Sequence, residues 1–331
     1  MDFFFLGIEE LLGSDNKFVK LNKLINFEKF RKILKGIHTQ DRSNQGRPSY
    51  DSVMMFKLFL LLCQSYSLSD RELASSLRLR LDFMYFTGFT PTDNLPDYST
   101  INKFRNLLIE KRKLKKLFKL LNRQLEDLGL SINNAKGAII DATLIESAGK
   151  PNKHIDNIPN DRKELDTETT DISYSKDTDA RWIKKGRKSH FGYKVFASVD
   201  DDHGFIQTVH TESAEVYEAH RLSKLLNDVN VSILLADKAY DTASNRDYLK
   251  ESKVKNGILK KAARGKPLTA RQKQRNKLLS KTRYKVEQCF GTLKRVFNFR
   301  RAAYFTTVKV QAQALLKSCC FNMLKAVNLM A

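Results

Sequence analysis

The sequence predicts a chain in two parts. A helical segment over residues 1–135 is followed by an α/β domain, a mixed sheet flanked by helices. Three observations carry this. Residues 1 to about 135 hold apolar runs with helical spacing and recognisable helix starts. From Gly137 on, short apolar runs with β-branched residues alternate with helical stretches. The chain has 331 residues, 41% of them hydrophobic, enough for about two domains with substantial cores.

In the first part, Asp51 to Tyr66 is a strongly apolar run with few breakers. It ends before Ser69-Asp70-Arg71-Glu72, which has the form of a capping box and would start a helix from Asp70 to about Leu81. The aromatic stretch Phe83-Met84-Tyr85-Phe86 follows, then a loop from Pro91 to Pro96. Ser99 reads as the N-cap of a helix running from Thr100 through the basic segment KRKLKKLFKLLNRQLEDLGL. Two short helices and a basic one suit a helix-turn-helix DNA reader. An all-helical packing domain without groove contact fits the same pattern.

In the second part, Ala138 to Ile145 reads as a buried strand. Residues of about 148–187 are mostly polar and are expected to form a loop or insert. Two strands follow, about Phe191–Val199 and Phe205–Glu212, joined by the turn Asp200-Asp201-Asp202-His203-Gly204. The remaining elements are a helix (Glu218–Val229), a strand (Val231–Asp237), a helix (Thr242–Glu251) and a short strand (Gly257–Leu259). A long basic helix then runs from Thr269 to about Phe297, and a final helix from about Val308 to Met330. The α/β domain is expected over 136–300, with 301–331 packing on it. An RNase H-like fold has this order of elements, as do other α/β folds.

Charge narrows the function. The formal net charge is +22 and the pI about 9.7. Residues 251–331 carry 20 basic and two acidic side chains, so most of the excess lies there. A polyanionic partner is implied, either nucleic acid or an anionic membrane surface. The opening MDFFFLGIEELL does not read as a signal peptide, and the apolar window Val53–Cys63 is too short to span a bilayer. Cys63, Cys289, Cys319 and Cys320 form no C-x-x-C pair, which suits a reducing cytoplasm.

Carboxylates mark a candidate site. Asp141 falls inside an apolar strand and Asp237 at the end of another, where an unpaired carboxylate is costly to bury. Each could be satisfied structurally by a turn or an ion pair. Glu287, the only acidic side chain after Glu251, lies on the long basic helix. There Arg283, Glu287, Gly291 and Lys294 form a face one residue round from the apolar face of Val286, Phe290, Leu293 and Phe297. Three converging carboxylates would make a hard-oxygen site for Mg²⁺ or Mn²⁺, and Arg283 and Lys294 could hold phosphates. The plainer alternative is an Arg283–Glu287 surface pair. Arg181, Lys184, Lys185, Arg187 and Lys188, with Trp182 among them, could clamp a strand or stack a base, or form a solvated loop. Asp200, Asp201 and Asp202 read as a turn. His203, His210 and His220 lack zinc spacing, and Asp241 reads as a helix cap.

Four pieces occur in order: Gly137-Ala-Ile-Ile-Asp141-Ala-Thr143, then DARWIKKGRKSHFGYK at 179–194, then Leu235-Ala-Asp237-Lys-Ala-Tyr240-Asp241. The fourth is Arg283-Tyr-Lys-Val-Glu287-Gln-Cys-Phe-Gly291-Thr-Leu-Lys294-Arg295. Together they resemble the insertion-sequence-five family of bacterial DDE transposases. The stretch GRPSYDSVMMFKLFLLL…LSDRELASSLRLRLDF…PDYSTINKFRNLL resembles the helical domain preceding the catalytic domain in that family. The resemblance implies an RNase H-like catalytic domain preceded by an all-α DNA-binding domain. It makes Asp141, Asp237 and Glu287 the catalytic and metal-binding triad, holding two Mg²⁺ or Mn²⁺ ions. It further implies cleavage of double-stranded DNA at the element's inverted-repeat ends, 3′-hydroxyl transfer into target DNA, a homodimer on DNA, and a place at the bacterial nucleoid. A broader signature, Y-x2-R-x3-E-x6-K, fits Arg283, Glu287 and Lys294, but its Tyr position holds Ser280. Two rivals are a metal-dependent nuclease without transposition and a catalytically silent DNA-binding regulator.

Overall fold

The computed structural model describes residues 3–38, 48–63, 68–158, 171–227 and 229–330. The chain divides into two compact units, 1–133 with 292–298 and 315–331, and 134–291 with 299–314.

The first unit is helical: α1 (Phe3–Leu12), α2 (Lys17–Leu24), α3 (Arg31–Leu34), α4 (Ser52–Cys63), α5 (Asp70–Leu79), α6 (Leu81–Thr87), α7 (Tyr98–Glu110) and α8 (Leu114–Asp127). Phenylalanines make its core. Phe18, Phe30, Phe56, Phe59, Phe83, Phe86 and Phe104 are all buried, with Phe18 and Phe86 rings 4.9 Å apart. The capping box of α5 forms as expected, Ser69 and Glu72 exchanging side-chain and backbone bonds. Arg105 of α7 reaches Asp70 of α5 at 2.7 Å and ties the two helices together.

Two local expectations change. Asp97, not Ser99, caps α7, its carboxylate accepting the Thr100 N–H at 2.7 Å. The helix expected from Thr100 through the basic segment is broken into α7 and α8 by Arg112, at φ 49°. The flanking lysines are structural. Lys111 Nζ donates to the carbonyls of Gly36 and Ile37, and Lys113 Nζ to those of Ile33 and Lys35. Two ammoniums thus neutralise carbonyls at and beyond the end of α3. Spent this way, they face backbone rather than a partner.

The second unit is built on β1 (Gly137–Glu146), β2 (Pro151–Ile158), β3 (Asp171–Ser175), β4 (Arg181–Lys185), β5 (Lys188–Asp200) and β6 (Ile206–Ser213). These are followed by α9 (Leu222–Leu226), β7 (Ile233–Ala236), α10 (Ala243–Glu251), β8 (Lys255–Ile258), α11 (Ala270–Arg295) and α12 (Thr307–Met330). The main sheet runs β4-β5-β1-β7-β8, with β6 also paired to β5. β1, β7 and β8 are parallel, while β5 and β6 are antiparallel to their neighbours. This mixed sheet with helices is the RNase H-like class expected from the sequence. One side of it buries Ala138, Ile140, Phe196, Leu222, Leu225, Leu234, Tyr240 and Leu249 together.

The polar stretch expected as a loop is partly strand. β2 and β3 pair as a two-stranded ribbon, and β4 pairs with the start of β5. Residues 159–170 of that stretch lie outside the described residues. Strands of sequence PNKHIDNI and DISYS carry little apolar alternation, so periodicity does not reveal them. The helix expected over 218–229 is shorter, a single 3₁₀ turn (Glu218–Arg221) leading into α9. The last helix, expected to pack on the α/β domain, belongs from Leu315 onward with the helical unit. There Asn322 donates to Asn122 at 2.8 Å.

The strands differ in length, and this shapes the sheet. β7 pairs with β1 only as far as Ile140↔Ala236. β1 continues to Glu146, where Arg300–Ala302 closes its free edge through Glu146 N to Arg300 O at 3.0 Å and Ala302 N to Glu146 O at 2.7 Å. On its other edge β1 is paired throughout with β5 down to Glu146↔Gly192. At Gly192 a Cβ would collide with the Ile145 carbonyl and the Ser147 amide, both backbone atoms that cannot turn aside. Gly192→Ala is therefore expected to destabilise the protein by about 3 kcal/mol or more, by overpacking and lost ladder bonds. Thermal unfolding of the variant, or its failure to remain soluble, checks this.

Candidate active site where the parallel pairing ends

Asp141 and Asp237 are each the first residue past the last pairing of β1 with β7. They therefore sit side by side where the parallel pairing of β1 with β7 ends, Asp141 midway along β1 and Asp237 just past the end of β7. Asp141 accepts the Ala142 N–H at 2.8 Å. Asp237 caps the single 3₁₀ turn Lys238–Tyr240, accepting the Lys238 N–H at 2.7 Å. Arg283, from α11, sits across both. Its Nη2 lies 3.3 Å from Asp141 Oδ2 and its Nη1 3.5 Å from Asp237 Oδ1. These are loose ion pairs made by two different nitrogens of one planar group.

Burial dominates the electrostatics of Asp141. Its carboxyl is pushed up to about 6, chiefly by loss of water; the Ala142 N–H and Arg283 oppose the shift, and Glu218 and Asp237 add to it. Tyr240 lies beneath, fully buried, and its hydroxyl has no hydrogen-bond partner among the described residues. Burial pushes its pKa well up, with Glu218, Asp141 and Asp237 adding to the rise. Glu218, on the 3₁₀ turn before α9, pairs with Lys194 of β5 at 3.6 Å. The Lys194 ammonium is itself buried and donates to Val216 O at 2.8 Å.

Sequence reasoning misses the parts played by Glu218, Tyr240 and Lys194. Lys194 carries a signal, since it stands alone in the apolar run FGYKVFASV. Glu218 and Tyr240 carry none until the turns holding them are placed.

Glu287 is not drawn into the pair. It is exposed, forms no ion pair among the described residues, and lies one turn beyond Arg283 on α11. Among the described residues no three His, Cys, Asp or Glu side chains come together as a metal-holding group. Three close carboxylates without a counter-charge repel one another; here Arg283 neutralises two. The expected Arg283–Glu287 surface pair does not form either, because Arg283 turns to the aspartates. Lys294 lies near the end of the same helix, within the helical unit. Ser280 donates to the Asn276 carbonyl at 2.8 Å, so it serves its own helix.

Arg181, Trp182, Lys184 and Lys185 lie together on β4. Trp182 is 46% exposed with its ring 5.3 Å from Phe191, and both lysines are exposed. Arg181 holds the Thr178 and Ala180 carbonyls. The acidic turn is structural, for Asp200 accepts the N–H groups of Asp202, His203, Gly204 and Phe205. Asp241 is no cap; it pairs with Arg246 at 2.6 Å and accepts the Lys261 N–H, while Thr242 caps α10. His210 pairs with Glu212 at 2.7 Å. No helix among the described residues is long and apolar enough to cross a membrane.

Residues 133–323 match the family model of the transposase DDE domain, and residues 7–107 match a second model, a transposase domain designated DUF772. The chain belongs to the DDE-domain transposases. Among its relatives is the transposase for insertion sequence element IS1106 of Neisseria meningitidis serogroup B, 43% identical over 227 residues, which span 68% of this chain and 77% of the relative. Similar solved structures include the piggyBac transposase synaptic complex with hairpin DNA, at TM-score 0.47 and 11% identity over 94% of this chain and 74% of that one. Another is the Mos1 mariner paired-end complex with Mn, at TM-score 0.24 and 13% identity over 98% and 95%.

Transposases of this family generally use divalent metal ions. Asp141 and Asp237 fit such an ion in kind. They offer hard carboxylate oxygens, and the buried Asp141 is a group whose charged form a cation would stabilise.

The burial of Asp141 has a measurable sign. Its carboxyl titrates at about 6 in the fold against 3.8 ordinarily. The folded state then holds the proton more tightly, so stability is lost as pH rises from about 4 to 6. In metal-free protein Asp141→Asn is expected to gain stability over wild type across that window. The gap should level off above it at roughly 2–3 kcal/mol, a few degrees in Tm. Paired melting curves at several pH values check this; equal melting temperatures at neutral pH would contradict it.

Proposed function

We propose that this transposase serves an element of the insertion-sequence-five family. In this reading it cuts double-stranded DNA at the element's inverted-repeat ends and transfers the freed 3′-hydroxyl to target DNA. The observation that carries the reading is the pair Asp141 and Asp237, side by side where the pairing of β1 with β7 ends and bridged by Arg283, in a chain of the DDE family. Asp141, Asp237 and Glu287 are the proposed catalytic carboxylates and would hold two Mg²⁺ or Mn²⁺ ions. Such ions, when bound, supply an activated attacking oxygen and stabilise the leaving one.

The chain's own groups supply the rest. Arg283, a planar donor fork, is suited to grip two phosphate oxygens, exchanging aspartate partners for substrate. Lys294 adds charge further along the helix. Arg181, Trp182, Lys184 and Lys185 form a basic strand with an exposed indole, suited to backbone contact and stacking. Residues 1–135 act as the DNA-binding helical domain and 136–300 as the catalytic domain, followed by the C-terminal segment 301–331. A homodimer would hold the two ends together, in the bacterial cytoplasm at the nucleoid.

The test uses purified full-length protein and labelled duplexes carrying the element's ends, with Mg²⁺ or Mn²⁺. Nicking that exposes a 3′-hydroxyl, followed by joined products, is expected. Asp141→Asn, Asp237→Asn and Glu287→Gln should each lower the rate by roughly 10³-fold or more. Undiminished cutting by Glu287→Gln would remove Glu287 from the site. Hydrolysis without joining would favour a nuclease, and binding without metal-dependent cutting a regulator.

A further inference from the structure

The proposed active-site face of α11 has a neighbour. Arg275 and Asn276 hold the helix to the chain at and after β8, through the carbonyls of Asn256, Ile258 and Lys260. Val286 and Phe290 are buried. At about 100° per residue, Asn276, Ser280, Arg283 and Glu287 share one narrow face. Beside it, away from Val286 and Phe290, come Lys273, Lys277, Lys281, Tyr284 and Gln288, within a sector of roughly 80°. All five are exposed, Tyr284 by 56%. Among the described residues none of the three lysines makes an ion pair, and Glu287 is the only acid on the helix. Lysines repeated at i and i+4 repel and weaken a helix by a few tenths of a kcal/mol per pair. A face kept merely for solubility mixes both signs.

We propose that this stripe is a DNA-backbone track. Lys273, Lys277 and Lys281 bind successive phosphates of one strand and lead it to the carboxylate pair, and Tyr284 stacks on an unpaired base at the site end. The inference rests on the DNA-cutting reading above and adds the surface that delivers the strand. Lys273 to Tyr284 spans about 16 Å of helix, close to five nucleotides of a duplex strand at 3.4 Å each. Charge complementarity and an exposed ring next to Arg283 fit no apolar partner.

Binding measured in metal-free buffer separates this from catalysis. A short fluorescein-labelled duplex of arbitrary sequence, blunt or with an unpaired end, is titrated by anisotropy at several salt concentrations. The variant Lys273→Ala/Lys277→Ala/Lys281→Ala keeps a good helix and should lower the salt slope by about 2–3, near 0.9 for each phosphate that is no longer neutralised. The control Lys136→Ala/Lys250→Ala/Lys255→Ala removes the same charge from exposed positions at or near the opposite, amino end of the parallel strands. It should leave the slope within about one of wild type. Tyr284→Ala should weaken binding roughly tenfold for the unpaired end and little for the blunt duplex. An unchanged slope in the stripe variant, or an equal fall in the control, overturns the track while leaving the cutting reading intact. A Tyr284→Ala effect equal on both duplexes overturns the stacking role. No salt-dependent binding by wild type overturns both readings together.

Discussion

One guanidinium holds the candidate site in the form described. Arg283 comes from a helix and meets two carboxylates that come from two strands, each by a different nitrogen. Without it, Asp141 and Asp237 would stand side by side past the last pairing of β1 with β7 with only backbone N–H groups for company. The helix is itself held on the sheet side by Arg275 and Asn276, which satisfy carbonyls of β8 and of Lys260 just beyond it. The sheet thus fixes the helix through backbone carbonyls, and the helix fixes the aspartates through charge.

The chain also separates positive charge that is used internally from charge that is not. Lys111 and Lys113 cap carbonyls, Lys194 is buried against Val216 and Glu218, and Arg105 is buried against Asp70. Lys57 lies over the rings of Phe27 and Phe86, at 4.7 and 5.1 Å, and burial pulls its ammonium down to about 8. These cations add to the net charge yet present little field to an outside partner. Lys273, Lys277 and Lys281 of α11 and Lys184 and Lys185 of β4 are exposed. The raw total therefore overstates the binding surface, and position along the fold decides which cations count.

Much of the fold is legible in the sequence. Short apolar runs mark β1, β5, β6 and β7, and helical periodicity with a capping box marks α5 and the long helices. The polar strands β2 and β3 are not legible, because their pairing is backbone to backbone and leaves little trace in side-chain patterning. The break between α7 and α8 is hidden for the opposite reason: its residues all favour helix, and distant carbonyls decide the outcome. At the site, Asp141 and Asp237 stand out because a carboxylate in an apolar run is costly. Glu287 stands out by its isolation in sequence, a property that carries no information on which way its carboxylate faces. Glu218 and Tyr240 come from turns far apart in the chain, and only the sheet brings their influence to bear on Asp141.

The unequal lengths of β1 and β7 leave a notch in the sheet. Between Ile140, the last residue of β1 paired with β7, and Glu146, closed off by Arg300–Ala302, five residues of β1 have no strand partner on that edge among the described residues. They span about 16 Å. The depth of this notch is counted in backbone residues, so no single side-chain exchange can deepen or fill it. It would be reshaped by adding or removing residues near the end of β7.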